Sequence, residues 1–113
     1  MAKVKIVVKL TVEGLHRWDS CNLSEVKYLE NLHRHLFYIR VEKEVTHNDR
    51  DIEIIRFKKE IQNHLNFRHY DAKYKCLVFD TMSCEDIAEY IYNKFKASLV
   101  EVLEDNENGA IIC

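Results

Sequence analysis

Residues 3–13 place the tightest constraint on the fold. Val4, Ile6, Val8, Leu10 and Val12 alternate with Lys3, Lys5, Lys9, Thr11 and Glu13. Successive side chains of an extended chain point to opposite sides, so this run is a strand with one apolar and one polar face. Such a strand needs a sheet, and the sheet needs a cover on one side. Residues 33–45 supply a second strand, with Leu36-Phe37-Tyr38-Ile39-Arg40-Val41-Glu42 at its centre. Between them residues 18–32 lose the alternation and read as a loop holding a short helix from Ser24. Gly14 allows a bend or bulge where the first strand ends.

The cover is predicted from two helical patterns. Ile54, Phe57, Ile61 and Leu65 recur at helical spacing, opposite Lys58, Lys59, Glu60 and Gln62. The polar connection Thr46–Asp51 precedes this helix, with an extended piece over Asp51 to Glu53. Asn66 to Asp80 reads as irregular, with a short apolar piece at Cys76-Leu77-Val78-Phe79. Ser83 then caps a second helix whose first turn holds Glu85 and Asp86, where the helix dipole favours acids. Its apolar stripe is Ile87, Ala88, Ile91, Phe95 and Leu99. Val100 and Val102 alternate with Glu101 and Leu103 in a further strand, and Ala110–Cys113 pairs back after a turn over Asn106 to Gly109. With no proline and only 2 glycines in the chain, turns fall to Asn, Asp and Ser clusters. The order β-β-α-α-β-(β) predicts a single α+β domain over residues 1–113, an antiparallel sheet with two helices on one face.

Composition narrows the partners. Hydrophobic residues at 47% and charged residues at 32% suit a soluble domain. A net charge of −2 disfavours sequence-independent nucleic-acid binding. No apolar stretch approaches the ~20 residues of a membrane span. Lys3, Lys5 and Lys9 interrupt any signal-peptide pattern, so the expected location is cytoplasmic. Cys21, Cys76, Cys84 and Cys113 form no C-x-x-C, and the expectation for a reducing compartment is free thiols.

The chemistry is concentrated in histidine. His33 and His35 are two residues apart on a strand, so both imidazoles face the same way. His16 ends the first strand. If the two strands pair antiparallel, three imidazoles converge, and three nitrogens with an open fourth position are the pattern of a catalytic zinc site. His47, His64 and His69 are candidates for acid–base work if they reach the same pocket.

In this order the motifs Gly14-Leu15-His16, Leu32-His33-Arg34-His35-Leu36-Phe37, Ser83-Cys84-Glu85-Asp86-Ile87-Ala88 and Val100-Glu101-Val102-Leu103-Glu104 run along nearly the whole chain. Their sequence resembles the 6-pyruvoyltetrahydropterin synthase / 6-carboxytetrahydropterin synthase family. That family has a strand ending in histidine, an excursion, a His-Gly-His opening the next strand, two helices, and a last strand ending in glutamate. Ser83 and its neighbours are similar to the family's Pro-Thr-x-Glu-Asn-hydrophobic-Ala helix start. The resemblance implies the tunnelling fold (T-fold) and zinc held by His16, His33 and His35. It implies a pterin gripped by Glu104, with Ser83 and Glu85 beside it. It also implies a homohexamer of two trimers with pockets between subunits.

Two parts of the family pattern are replaced. Where the family has a cysteine four to six residues before the His-x-His, this chain has Lys27, Tyr28 and Leu29; Glu30, Glu25 or a folded-back Cys21 are the substitutes. The family's Asp-His pair is matched by His64, preceded by Asn63, or by His69, preceded by Arg68. The resemblance thus implies a zinc-dependent lyase converting 7,8-dihydroneopterin triphosphate to 6-pyruvoyl- or 6-carboxytetrahydropterin. Its proton-moving residues are drawn from His69, His64, Glu30 and Cys21, and its pathway is of the biopterin, folate or queuosine type. The alternatives are a catalytically weak member that binds a pterin or purine-like ligand, and a metal-free α+β interaction module.

Overall fold

The first strand, β1 (Lys5–His16), pairs antiparallel with the second, β2 (His33–Glu44), from Lys5↔Glu44 through to His16↔His33. These residues are described in a computed structural model that covers residues 2–113. Directly opposed residues share a face. The register therefore puts Val8 and Leu10 beside Val41 and Ile39, with the three histidines at the end of the same face. Arg34 points to the other face, where it pairs with Glu13. A 3-10 segment over Ser24–Glu30 fills the excursion between the strands.

β1 runs through Gly14 in unbroken register with β2, and its pairing with β4 shifts register just beyond, between Leu15 and His16. A Cβ at Gly14 would lie 2.8 Å from the Phe79 ring and 3.0 Å from that of Phe37, so the glycine serves close packing of two aromatic rings.

β2 ends at Glu44, and residues 45–53 form turns and bends, so the expected extended piece over Asp51 to Glu53 is not a strand. The Glu53 carboxylate accepts the Ile55 and Arg56 N–H groups and so caps α1 (Ile54–His69). Phe57, Ile61 and Leu65 are buried. The helix runs four residues past Leu65, through part of the stretch predicted to be irregular, because no glycine or proline ends it there.

The chain returns through β3 (Tyr70–Asp71) and β4 (Cys76–Asp80). β4 lies parallel to β1, with Gly14↔Leu77 and Leu15↔Val78 in register. The six-stranded sheet, in the order β3-β4-β1-β2-β5-β6, is therefore mixed, which corrects the expectation of a purely antiparallel one. The cause is the return of the chain after α1: the turn between β3 and β4 reverses its direction, so β4 runs alongside the last residues of β1 in the same sense.

Ser83 and Asp86 form a capping box at the start of α2 (Cys84–Phe95). The helix closes on Lys96 in the left-handed region, and Leu99, expected on its stripe, opens β5 (Leu99–Glu104) instead. β5 pairs with β2, placing Glu104 opposite Phe37. Asp105 and Asn106, with φ of 53° and 60°, make the tight turn into β6 (Asn108–Ile112). Gly109 is required here, since a Cβ would fall 1.8 Å from the Val102 carbonyl oxygen.

The architecture is α+β, with one continuous apolar core between the sheet and the two helices. No helix among the described residues is long and apolar enough to cross a membrane. Phe37 joins core to histidines: it is fully buried and meets the Phe79, His16 and His35 rings at 5.2, 5.1 and 5.8 Å. Phe37→Ala is expected to cost ~3–5 kcal/mol through the cavity it leaves. Urea denaturation of the metal-free protein reads this as a lower midpoint at unchanged slope.

Candidate metal centre

Three strand ends build the site. β1 brings His16, the start of β2 brings His33 and His35, and the end of β5 brings Glu104. One ligand atom from each lies within 4.8 Å of all the others. The ring centroids are 4.6 Å apart for His16–His33, 5.1 Å for His33–His35 and 5.4 Å for His16–His35. Glu104 Oε2 lies 2.8 Å from His16 Nε2 and 2.9 Å from His35 Nε2.

The outward nitrogens decide the state of the inward ones. His16 Nδ1 donates to the Met82 carbonyl at 2.9 Å, and His33 Nδ1 to the Asn31 carbonyl at 2.8 Å. A carbonyl can only accept, so these Nδ1 atoms carry the protons. His35 Nδ1 donates to Asp105 Oδ2 at 2.7 Å. In each neutral ring the Nε2 is then a bare lone pair. Two of these lone pairs face a carboxylate oxygen, an arrangement that repels unless positive charge stands between them. A proton shared with the carboxylate or a metal ion meets that need, and outer hydrogen bonds that fix each ring are how metal-binding histidines are oriented. The donor set fits a divalent cation.

The electrostatics agree with this. Burial holds the His33 pKa below its ordinary value, against the opposing pull of the Asn31 carbonyl, which favours the neutral ligand form. The Asp105 carboxyl is held below its usual range by the bond from His35 and by the Leu36 N–H. Its other oxygen accepts that N–H at 3.0 Å, and the Asp105 N–H donates to the Leu36 carbonyl at 2.7 Å.

The cluster opens on a cleft of about 530 Å³ lined by His16, His33 and Glu104 together with Ser83, Cys84, Glu85, Arg17 and Trp18. Ser83 Oγ accepts the Asp86 N–H at 3.1 Å, which leaves its own hydroxyl hydrogen free to donate. Burial and the nearby Glu104 and Glu85 push the Cys84 thiol up to about 12, so it stays protonated and is no nucleophile at neutral pH.

The residues expected to move protons lie elsewhere in the chain. Cys21 is buried, with its Sγ toward the Leu23 and Val26 carbonyls. Glu30 pairs with Lys27 at 2.6 Å and directly follows Leu29, which lines the cleft. His64 hydrogen-bonds the Tyr90 hydroxyl at 2.5 Å on the helical side. His69 packs on Phe79 at 4.9 Å, and Phe79 and Phe37 separate it from His16. Within one chain, none of the four lines the cleft. Glu104, expected at a pterin edge, does line it but also belongs to the donor cluster. Sequence reasoning missed Asp105 and the Met82 and Asn31 carbonyls. Asp105 was visible only as an acid beside Glu104 at a turn, and backbone carbonyls leave no trace in residue identity.

No protein-family model matches the chain, and no curated protein matches it.

Two expectations follow. Asp105→Ala removes the outer partner of His35 and should weaken the binding of a divalent metal ion at the cluster about 10–100-fold, measured by competition with a chromophoric chelator. Burial also lowers the His64 and His69 pKa values from the ordinary 6.5, with nearby cations adding to the effect. Between those lowered values and 6.5 the unfolded chain binds more protons than the folded one, so stability rises with pH across that range. Thermal midpoints of the metal-free protein should therefore fall as the pH is lowered below about 7 and flatten once the folded-state values are passed.

Proposed function

We propose that the chain is a zinc-dependent, pterin-binding lyase of the T-fold type. The observation that carries this reading is the set of three imidazoles, each with Nδ1 tied outward, meeting a carboxylate at the mouth of a cleft that also holds Ser83 and Glu85. Nitrogen and oxygen donors on this scale suit zinc. Bound there, zinc would act as a Lewis acid on the hydroxyl oxygens of a substrate side chain.

The chain's own residues supply recognition. The Glu104 carboxylate accepts two parallel N–H bonds from the 2-amino group and ring N–H of a pterin, a charge-assisted pair. The free hydroxyl hydrogen of Ser83 donates to a ring acceptor, and Glu85 adds a second carboxylate to the wall. Glu30, paired with Lys27 at the end of the 3-10 segment and adjacent in sequence to the cleft residue Leu29, takes the role of base on this reading. The substrate on this reading is 7,8-dihydroneopterin triphosphate, and the assembly is a homohexamer that pairs the exposed edges of the sheet.

A second reading, a ligand-binding protein without turnover, draws support from the placement of His69 behind Phe79 and Phe37 and of His64 against Tyr90 and Phe95. Zinc content per chain, together with product mass after incubation with 7,8-dihydroneopterin triphosphate, separates the readings. The lyase predicts one zinc per chain and a new product. Stoichiometric zinc without product leaves only the binding reading. His33→Ala is expected to lose most of the zinc, and full retention of metal in that variant overturns the metal centre.

A further inference from the structure

The four donors are not held alike. His16, His33 and His35 each have an outer partner that locks the ring, namely the Met82 carbonyl, the Asn31 carbonyl and Asp105. Glu104 has none. Among the described residues its carboxylate meets only His16 and His35, both through Oε2. Its backbone is fixed by pairing with Phe37 on one side and Asn108 on the other, so only the side chain is free to turn. That side chain is 29% exposed and lines the cleft.

Its distances place it at a coordination corner. In a tetrahedral site with arms of ~2.0–2.1 Å, neighbouring donors stand about 3.3 Å apart. Separations of 2.8 and 2.9 Å from two Nε2 atoms are about 0.4–0.5 Å shorter than that and match hydrogen-bond lengths, so an outward shift of this size brings the carboxylate oxygen to a donor position. A carboxylate aimed inward at two imidazoles cannot also be turned out to grip a ligand.

We infer that Glu104 is a displaceable fourth donor, which closes the metal centre while the cleft is empty and leaves it when a ligand offers adjacent N–H groups. The inference rests on the metal centre proposed above. Three locked imidazoles keep the ion in place throughout, and the unlocked carboxylate is the only part that moves. A ligand with a cyclic guanidine edge exchanges the carboxylate's contact with the ion for two charge-assisted hydrogen bonds. A ligand without that edge leaves the corner closed. Recognition of the ligand and opening of the metal thus become a single event.

Cobalt(II) substitution tests this, because the visible spectrum of the ion reports its donors directly. The wild-type protein loaded with Co²⁺ should change spectrum on addition of pterin, the unsubstituted 2-amino-4-oxo ring. Lumazine, in which an oxo group replaces the 2-amino group, should leave the spectrum unchanged. Glu104→Gln should bind Co²⁺ more weakly, by at least the about tenfold that loss of a mere outer partner costs. It should also start from a different spectrum and show no pterin response. Glu104→Asp, which withdraws the carboxylate by one methylene, gives the same readout if the glutamine variant does not fold. A Glu104→Gln protein whose Co²⁺ spectrum and affinity equal the wild type overturns the inference and leaves a three-histidine site standing. Pterin that binds by calorimetry without altering the wild-type spectrum also overturns it. A wild-type protein that takes up neither Co²⁺ nor Zn²⁺ overturns the metal centre itself.

Discussion

The antiparallel register between β1 and β2 is the constraint on which the rest of the structure depends. It runs unbroken from Lys5↔Glu44 to His16↔His33. A slip of one residue would turn every side chain of one strand to the other face. His16 would then point away from His33 and His35, and Val8 and Leu10 would leave the core for solvent. The same register thus specifies both the hydrophobic core and the metal centre, and one cannot be lost without the other. Phe37 shows the coupling most directly. Its ring is covered by Gly14 and Phe79 below and by two imidazoles above.

Much of this was legible in the residues. The alternation of Val4 to Val12 and the His-x-His at the head of the next run specify two strands and one shared face. Ser83 with Asp86 marks the start of α2, and Phe57, Ile61 and Leu65 mark the buried stripe of α1. These are local signals, carried by period and by capping chemistry, and they survive folding unchanged. The β5–β6 turn was readable in part: expected over Asn106 to Gly109, it falls at residues 105–107, where Asp105 and Asn106 adopt the positive φ that Asp and Asn tolerate, and Asn108 and Gly109 already belong to β6.

What escaped the sequence was relational. Cys76-Leu77-Val78-Phe79 is too short to display a period, and nothing in it announces a parallel partner. Only the crossover through α1 puts it beside β1. The end of α1 was set too early because Asn66, Arg68 and His69 are polar, yet polarity on an exposed face does not end a helix. At the site, the liganding residues were found by type, whereas their supports were not. Two of the three outer partners are backbone carbonyls, and the third, Asp105, is defined by a turn that brings it back to Leu36 and His35. Histidines can be counted in a sequence, but the direction of an Nδ1 cannot.

The placement of charge explains why the site sits at the edge of the core. Three imidazoles and a carboxylate with bare lone pairs facing one another cost free energy in the absence of a cation, and burial raises that cost. His16 bears it most, being buried at 8% exposure where no other charged or polar residue among the described residues is. A cation that binds the folded chain and not the unfolded one returns this energy as stability, growing with the logarithm of its concentration. The fold therefore stores a preference for a positive ion at the junction of β1, β2 and β5. On the proposed reading, locking three donors and leaving Glu104 free divides the labour: the histidines would secure the ion, and the glutamate would decide when the fourth corner is open. An all-locked site would hold metal more tightly, but it would have no means of responding to what enters the cleft.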